Sequence, residues 1–189
     1  MTASPALADR AAIAAIAARI TRPVVLVGLM GVGKSTVGRK LAAMLGRDFV
    51  DADEAIVEAA QLSIPEIFET FGEAYFRDGE RRVIARLIEE GHGVIATGGG
   101  AFVDPATRAL VLEKGIAVWI DCDIDTLVER TARRGNRPLL KTGNPRDILT
   151  RLAHERTPFY QQAPIRVESK NGPHAETARA IIEAIGQWL

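Results

Sequence analysis

Two groups of residues carry the spacing that chemistry needs. The first is Gly28-Leu29-Met30-Gly31-Val32-Gly33-Lys34-Ser35-Thr36, which reads G-x-x-x-x-G-K-S. Glycines let backbone N–H groups close around phosphate oxygens, a lysine brings a point charge to the outer phosphates, and a following hydroxyl can ligand a divalent cation. Gly31, Val32, Gly33, Lys34, Ser35 and Thr36 are therefore expected to hold a nucleotide's phosphates, with Ser35 on the metal. The second group is Asp51-Ala52-Asp53. On an extended strand end, acids two apart point the same way. One could hold Mg²⁺ through water and the other could accept a proton from a hydroxyl. Asp53 could equally be no more than a helix cap ahead of Ala55, Ile56 and Ala59.

Elements that could position these groups follow from the flanking pattern. Val24–Val27 is a β-branched run before the loop, and Val37, Leu41, Ala42 and Leu45 recur at helical spacing after it, ending at Gly46. Phe49–Val50 ends a second strand and delivers the acids. Ser63-Ile64-Pro65-Glu66 reads as a capping box opening a short helix to Phe71, broken at Gly72 and followed by a longer helix to about Glu90. Val94–Thr97 is a third strand running into Gly98-Gly99-Gly100, where something can press against bare backbone. Ile116–Ile120 and Ile165–Val167 complete five strands. Helices are expected after Asp104-Pro105, over 124–131, from Asn144-Pro145 to about Arg156 ahead of Pro158, and over 175–189. This alternation implies a mostly parallel sheet covered on both faces.

Other residues are less telling. Arg77 between Phe76 and Asp78 is, by itself, a solvated or ion-paired arginine. The stretch from Arg130 to Lys141 is the most basic. Without interleaved aromatics it does not support base stacking, and it reads as a lid whose arginine reaches a transferring phosphoryl group, or simply as a solvated loop. Cys122, the sole cysteine, reads as a packing residue; no internal disulfide is possible, which fits a reducing cytoplasmic setting.

The chain has 189 residues, enough for one domain, with 47% hydrophobic and 25% charged residues. Lys+Arg and Asp+Glu balance at 24 each, so nothing suggests a nucleic-acid partner, and no apolar run reaches membrane-spanning length. A monomer is the default. Residues 1–22 precede the first strand; Ile13, Ile16, Ala17 and Ile20 share a face, suggesting an extra docked helix, with a targeting peptide as the alternative. Residues 53–81 and 131–143 are read as a substrate-binding segment and a lid on a single 1–189 domain.

With these motifs in place, the sequence resembles the shikimate kinase family. The carriers are Gly28–Thr36, Asp51-Ala52-Asp53, Ser63–Phe68, Phe76-Arg77, Gly98–Ala101, Arg137-Pro138-Leu139-Leu140 and Arg156–Tyr160, spanning roughly 23 to 170 in the family's order. The resemblance implies a nucleoside-monophosphate-kinase-like α/β three-layer sandwich with strand order 2-3-1-4-5. It also implies ATP-dependent phosphorylation of the 3-hydroxyl of shikimate, with Mg²⁺. By the same resemblance Asp53 binds the shikimate hydroxyls and serves as base, Arg77 and Arg156 clamp the carboxylate, and Gly98, Gly99 and Gly100 contact the substrate through backbone. Lys34 and Arg137 stabilise the phosphoryl group, Ser35 ligands Mg²⁺ with Asp51 behind a water, and Arg130 lies against the adenine. Phe68 and Phe76 would line the pocket and Glu80 would support it.

Two departures stand out. Gln61 occupies a place where the family often has glycine, and Gly79 interrupts an expected helix, for which a tight backbone contact is the only reason the sequence suggests. The rival readings are another small-metabolite kinase on this scaffold, such as a gluconate kinase, and a non-catalytic nucleotide-dependent switch.

Overall fold

A computed structural model of the chain describes residues 5–132 and 143–189. Five parallel strands form one sheet in the order β2-β3-β1-β4-β5. They are β1 (Val24–Val27), β2 (Phe49–Asp51), β3 (Val94–Ala96), β4 (Ile116–Asp121) and β5 (Ile165–Glu168). β1, β3 and all but the last residue of β4 are buried throughout, as strands covered on both faces must be, whereas β5 alternates buried and exposed as an edge strand does. The helices are α1 (Pro5–Arg19), α2 (Lys34–Leu45), α3 (Ala52–Ala60), α4 (Ile64–Glu89), α5 (Pro105–Lys114), α6 (Ile124–Ala132), α7 (Pro145–Tyr160) and α8 (His174–Trp188). The architecture is the expected α/β three-layer sandwich.

Helix starts follow their caps. Asp104 Oδ2 accepts from Thr107 N at 2.8 Å, Asn144 Oδ1 accepts from Arg146 N at 2.9 Å, and Ser63 and Glu66 close the capping box in both directions. Gly72 does break the 64–89 stretch, with φ 81° and ψ 174° inside otherwise continuous helix. α1 packs on α2 and α8. Ile13, Ile16 and Ala17 lie against the core, and Arg47 Nη2 donates to Ile20 O at 2.5 Å.

Three local expectations need correcting. Asp53 is not on a strand end and is not a cap: Asp51 is the extended cap, its Oδ1 accepting from Asp53 N at 3.0 Å, and helix has already begun at Ala52. α7 does not stop ahead of Pro158 but continues to Tyr160. Pro158 lies in the final turn, where the one carbonyl it leaves unpaired, that of exposed His154, can turn to water. Gly79 makes no tight contact, since nothing lies within 4 Å of the place its Cβ would take.

Candidate active site

The site forms at the carboxyl ends of β1, β2 and β3, where open α/β sheets bind ligands. Leaving β1, the chain turns with positive φ at Gly28, Gly31 and Gly33, which side chains rarely adopt, and enters α2 directly at Lys34. Gly33 offers no side-chain cap, so the first N–H groups of α2 face the cleft with their dipole. Lys34 is buried and its Nζ donates to Gly28 O at 2.7 Å and Leu29 O at 2.8 Å, bending it back over the loop. Ser35 Oγ donates to Asp51 Oδ2 at 2.5 Å. A hydroxyl, a carboxylate and a helix N-terminus thus meet at one point, a hard-oxygen set suited to a divalent cation shared with phosphates.

Asp53 reaches the same cleft from the first turn of α3. Met30, Gly31, Gly33, Lys34, Ser35, Asp51, Asp53, Thr97, Gly98 and Gly99 surround a cavity of about 110 Å³. The two acids therefore converge as expected, but through a cap followed by a helical turn rather than strand alternation. Asp53 Oδ1 lies 2.8 Å from where a Cβ on Gly98 would sit, so the glycine is what lets the carboxylate reach past β3.

Gly98, Gly99 and Gly100 each border a different charged group. Gly98 adjoins Asp53 and Glu80, Gly99 adjoins Arg156 Nη1 at 3.4 Å from its absent Cβ, and Gly100 adjoins the Arg77 guanidinium. Arg77 Nη1 donates to Glu80 Oε2 at 2.6 Å, and Arg77 Nε lies 3.5 Å from Glu73 Oε1. Glu80 is 1% exposed; burial pushes its carboxyl above the usual range, and the Arg77 charge opposes that push. Glu80 thus fixes Arg77 at the glycine turn. On the far side Arg108 of α5 braces the turn by donating to Phe102 O at 3.0 Å and Val103 O at 2.9 Å.

The two phenylalanines pack together, ring centroids 4.5 Å apart. Phe76 is buried with Ile56 and Ile67 between α3 and α4, with Phe68 packed against that cluster. Arg130 donates to Val32 O at 3.2 Å, Ser169 Oγ at 3.1 Å and Lys170 O at 2.7 Å, joining the phosphate loop to the segment after β5. Arg137 and residues 133–142 of the expected lid lie outside the described residues. Cys122 is buried, which pushes its thiol up to about 11 and keeps it protonated.

Sequence reasoning missed Tyr160 as part of the site. It is 1% exposed, and its hydroxyl donates to Gly99 O at 2.5 Å, the glycine that Arg156 Nη1 adjoins. The signal was available in the i, i+4 spacing of Arg156 and Tyr160, which shares a face only if the helix runs through Pro158.

Comparison with known proteins is consistent across sequence and structure. The shikimate kinase family model matches residues 30–186. A shikimate kinase of Novosphingobium aromaticivorans is 65% identical over 188 residues, covering 97% of each chain. One from Caulobacter vibrioides is 52% identical, covering 88% of this chain and 83% of its own. The structure of a shikimate kinase from Acinetobacter baumannii in complex with shikimate superposes with a TM-score of 0.83 at 39% identity, covering 90% of this chain and 96% of its own. The chain belongs to the shikimate kinase family.

Proposed function

We propose a residue-level account of the ATP-dependent shikimate kinase activity that family membership gives this chain. The observation that carries it is the convergence, around one cleft, of a phosphate loop, a carboxylate and two arginines set against a glycine turn. The loop N–H groups and Lys34 bind the β- and γ-phosphates of ATP, and Arg130 faces the adenine end from beside Val32. Ser35, with Asp51 behind it, would hold Mg²⁺, which neutralises charge on the phosphates when bound. The hard-oxygen pair those residues make supports that assignment.

Arg77 and Arg156 bind the carboxylate of shikimate, a planar anion suited to guanidinium donors. The backbone of Gly98, Gly99 and Gly100 lets the ring lie close, and its 3-hydroxyl points at Asp53. Asp53 accepts the hydroxyl proton while the oxygen bonds to the γ-phosphorus and the bond to the β–γ bridging oxygen breaks, leaving ADP and shikimate 3-phosphate. Lys34, and Arg137 from the 131–143 lid, meet the charge on the transferring group, and the lid excludes water. The described residues of the N-terminal extension, 5–22, dock on α2 and α8 as part of a single domain. A lone cysteine supports a cytoplasmic, reducing setting.

ADP release with Mg·ATP, compared across shikimate, gluconate and no acceptor, tests the reading. Release is expected with shikimate alone. Release with gluconate alone would overturn the pocket assignment, and ATP binding without acceptor-dependent release would favour a nucleotide-dependent switch.

A further inference from the structure

The carboxylate half of the site hangs on a single phenol. Tyr160 sits in the last turn of α7, one turn beyond Arg156 on the same face. Its ring is anchored in the core, with its centroid 6.0 Å from that of Trp119 on β4. Its hydroxyl has one hydrogen to give and lone pairs to accept with. The hydrogen goes to Gly99 O at 2.5 Å, and Arg156 Nη1 lies against the same glycine, 3.4 Å from where its Cβ would be.

A trans peptide unit is planar, so fixing the Gly99 carbonyl fixes the orientation of the whole Gly99–Gly100 peptide and aims the Gly100 N–H the opposite way. Glycines cannot hold that orientation by themselves, because they have the widest choice of backbone conformations. The helix that anchors the phenol also carries Arg156 one turn earlier, so the peptide and the planar guanidinium are tied to one element. We propose that Tyr160 is a positioning residue for acceptor recognition: it holds the Gly99–Gly100 peptide in one fixed relation to the helix that carries Arg156, so that the substrate carboxylate meets a preset backbone beside the guanidinium. The inference rests on the reading of Arg156 as a carboxylate clamp. Burial pushes the phenol up to about 12, so it stays a donor throughout the neutral range.

Tyr160→Phe removes the oxygen and keeps the ring. The expected result is a rise of about tenfold in KM for shikimate, with KM for ATP and kcat changed by less than about threefold. The methyl ester of shikimate, which lacks the carboxylate charge, should be affected by less than about threefold. An unchanged KM for shikimate, or equal losses on shikimate and the ester, would overturn the proposal.

A polyfluorinated tyrosine at position 160, with a more acidic phenol, gives a second readout should the phenylalanine variant fold poorly. KM for shikimate should rise with pH in that enzyme as the phenol ionises and stops donating, with no matching step in the wild type. A flat profile would overturn the proposal. Arg156→Ala separates this from the parent reading: unchanged KM for shikimate in that variant refutes the clamp itself, whatever Tyr160 does.

Discussion

Arg77 owes its place to Glu80. Alone in the sequence it is indistinguishable from a surface arginine; a buried carboxylate three residues later turns it toward the glycine turn. A second pair sits at the opposite end of the sheet, where His92 Nδ1 meets Asp48 Oδ2 and Gly93 N donates to Asp48 Oδ1 at 2.7 Å. The hydrogen bond to His92 lowers the Asp48 carboxyl, and Asp48 raises the His92 imidazole. The raised imidazole contributes stability that is full below its unfolded value of about 6.5 and is lost as pH rises through the folded value. The lowered carboxyl contributes above its ordinary range and loses that as pH falls through its folded value. The pair therefore helps most at mildly acidic pH. Both groups are partly exposed, so the gain is at most about 1 kcal/mol, worth about 2–4 °C at this chain length. Melting of His92→Gln should show a deficit of that size at pH 6 that shrinks by pH 9. A deficit that is constant with pH would contradict the assignment.

Helices α3 and α4 carry the segment proposed to bind substrate, and both depart from helical preference. Gln61 ends α3 at φ 55°, ψ 27°, the left-handed C-terminal position that glycine fills best. Gly79 lies inside α4 with open space where a Cβ would go, beside an apolar cavity of about 320 Å³ lined by residues including Ile56, Ala59, Phe76 and Val83. Gln61→Gly relieves left-handed strain, and Gly79→Ala removes a flexible residue from a helix interior. Each substitution should raise stability by about 0.5–1 kcal/mol in chemical denaturation while leaving KM for both substrates unchanged. A loss of stability in Gly79→Ala would show that the position is packed after all.

Much of the molecule was legible because local signals agreed with the global layout. The glycine–lysine–serine spacing, the β-branched runs and the proline-led caps each marked an element boundary, and the sheet order came with the family resemblance. What stayed hidden depended on contacts between distant segments. The partnership of Glu80 with Arg77 is local, but its burial beneath Gly98 is not. Tyr160 was passed over because a proline normally ends a helix. Asp51 and Asp53 were rightly grouped, although the cap at Asp51 rather than strand pleating brings them together.

At the scale of the whole molecule, two halves meet at Asp53. The phosphate loop and α2 form one, and α4, the glycine turn and α7 form the other. In the proposed assignment each half binds its own ligand, so removing the charge at the junction should spare binding and stop transfer. Single-turnover phosphoryl transfer in Asp53→Asn, measured alongside ATP and shikimate affinity, tests this most directly. Transfer should fall by about 10²- to 10⁴-fold with ATP affinity within about twofold of wild type and the shikimate complex still formed. Transfer within about tenfold of wild type would contradict the account and remove Asp53 from the chemistry.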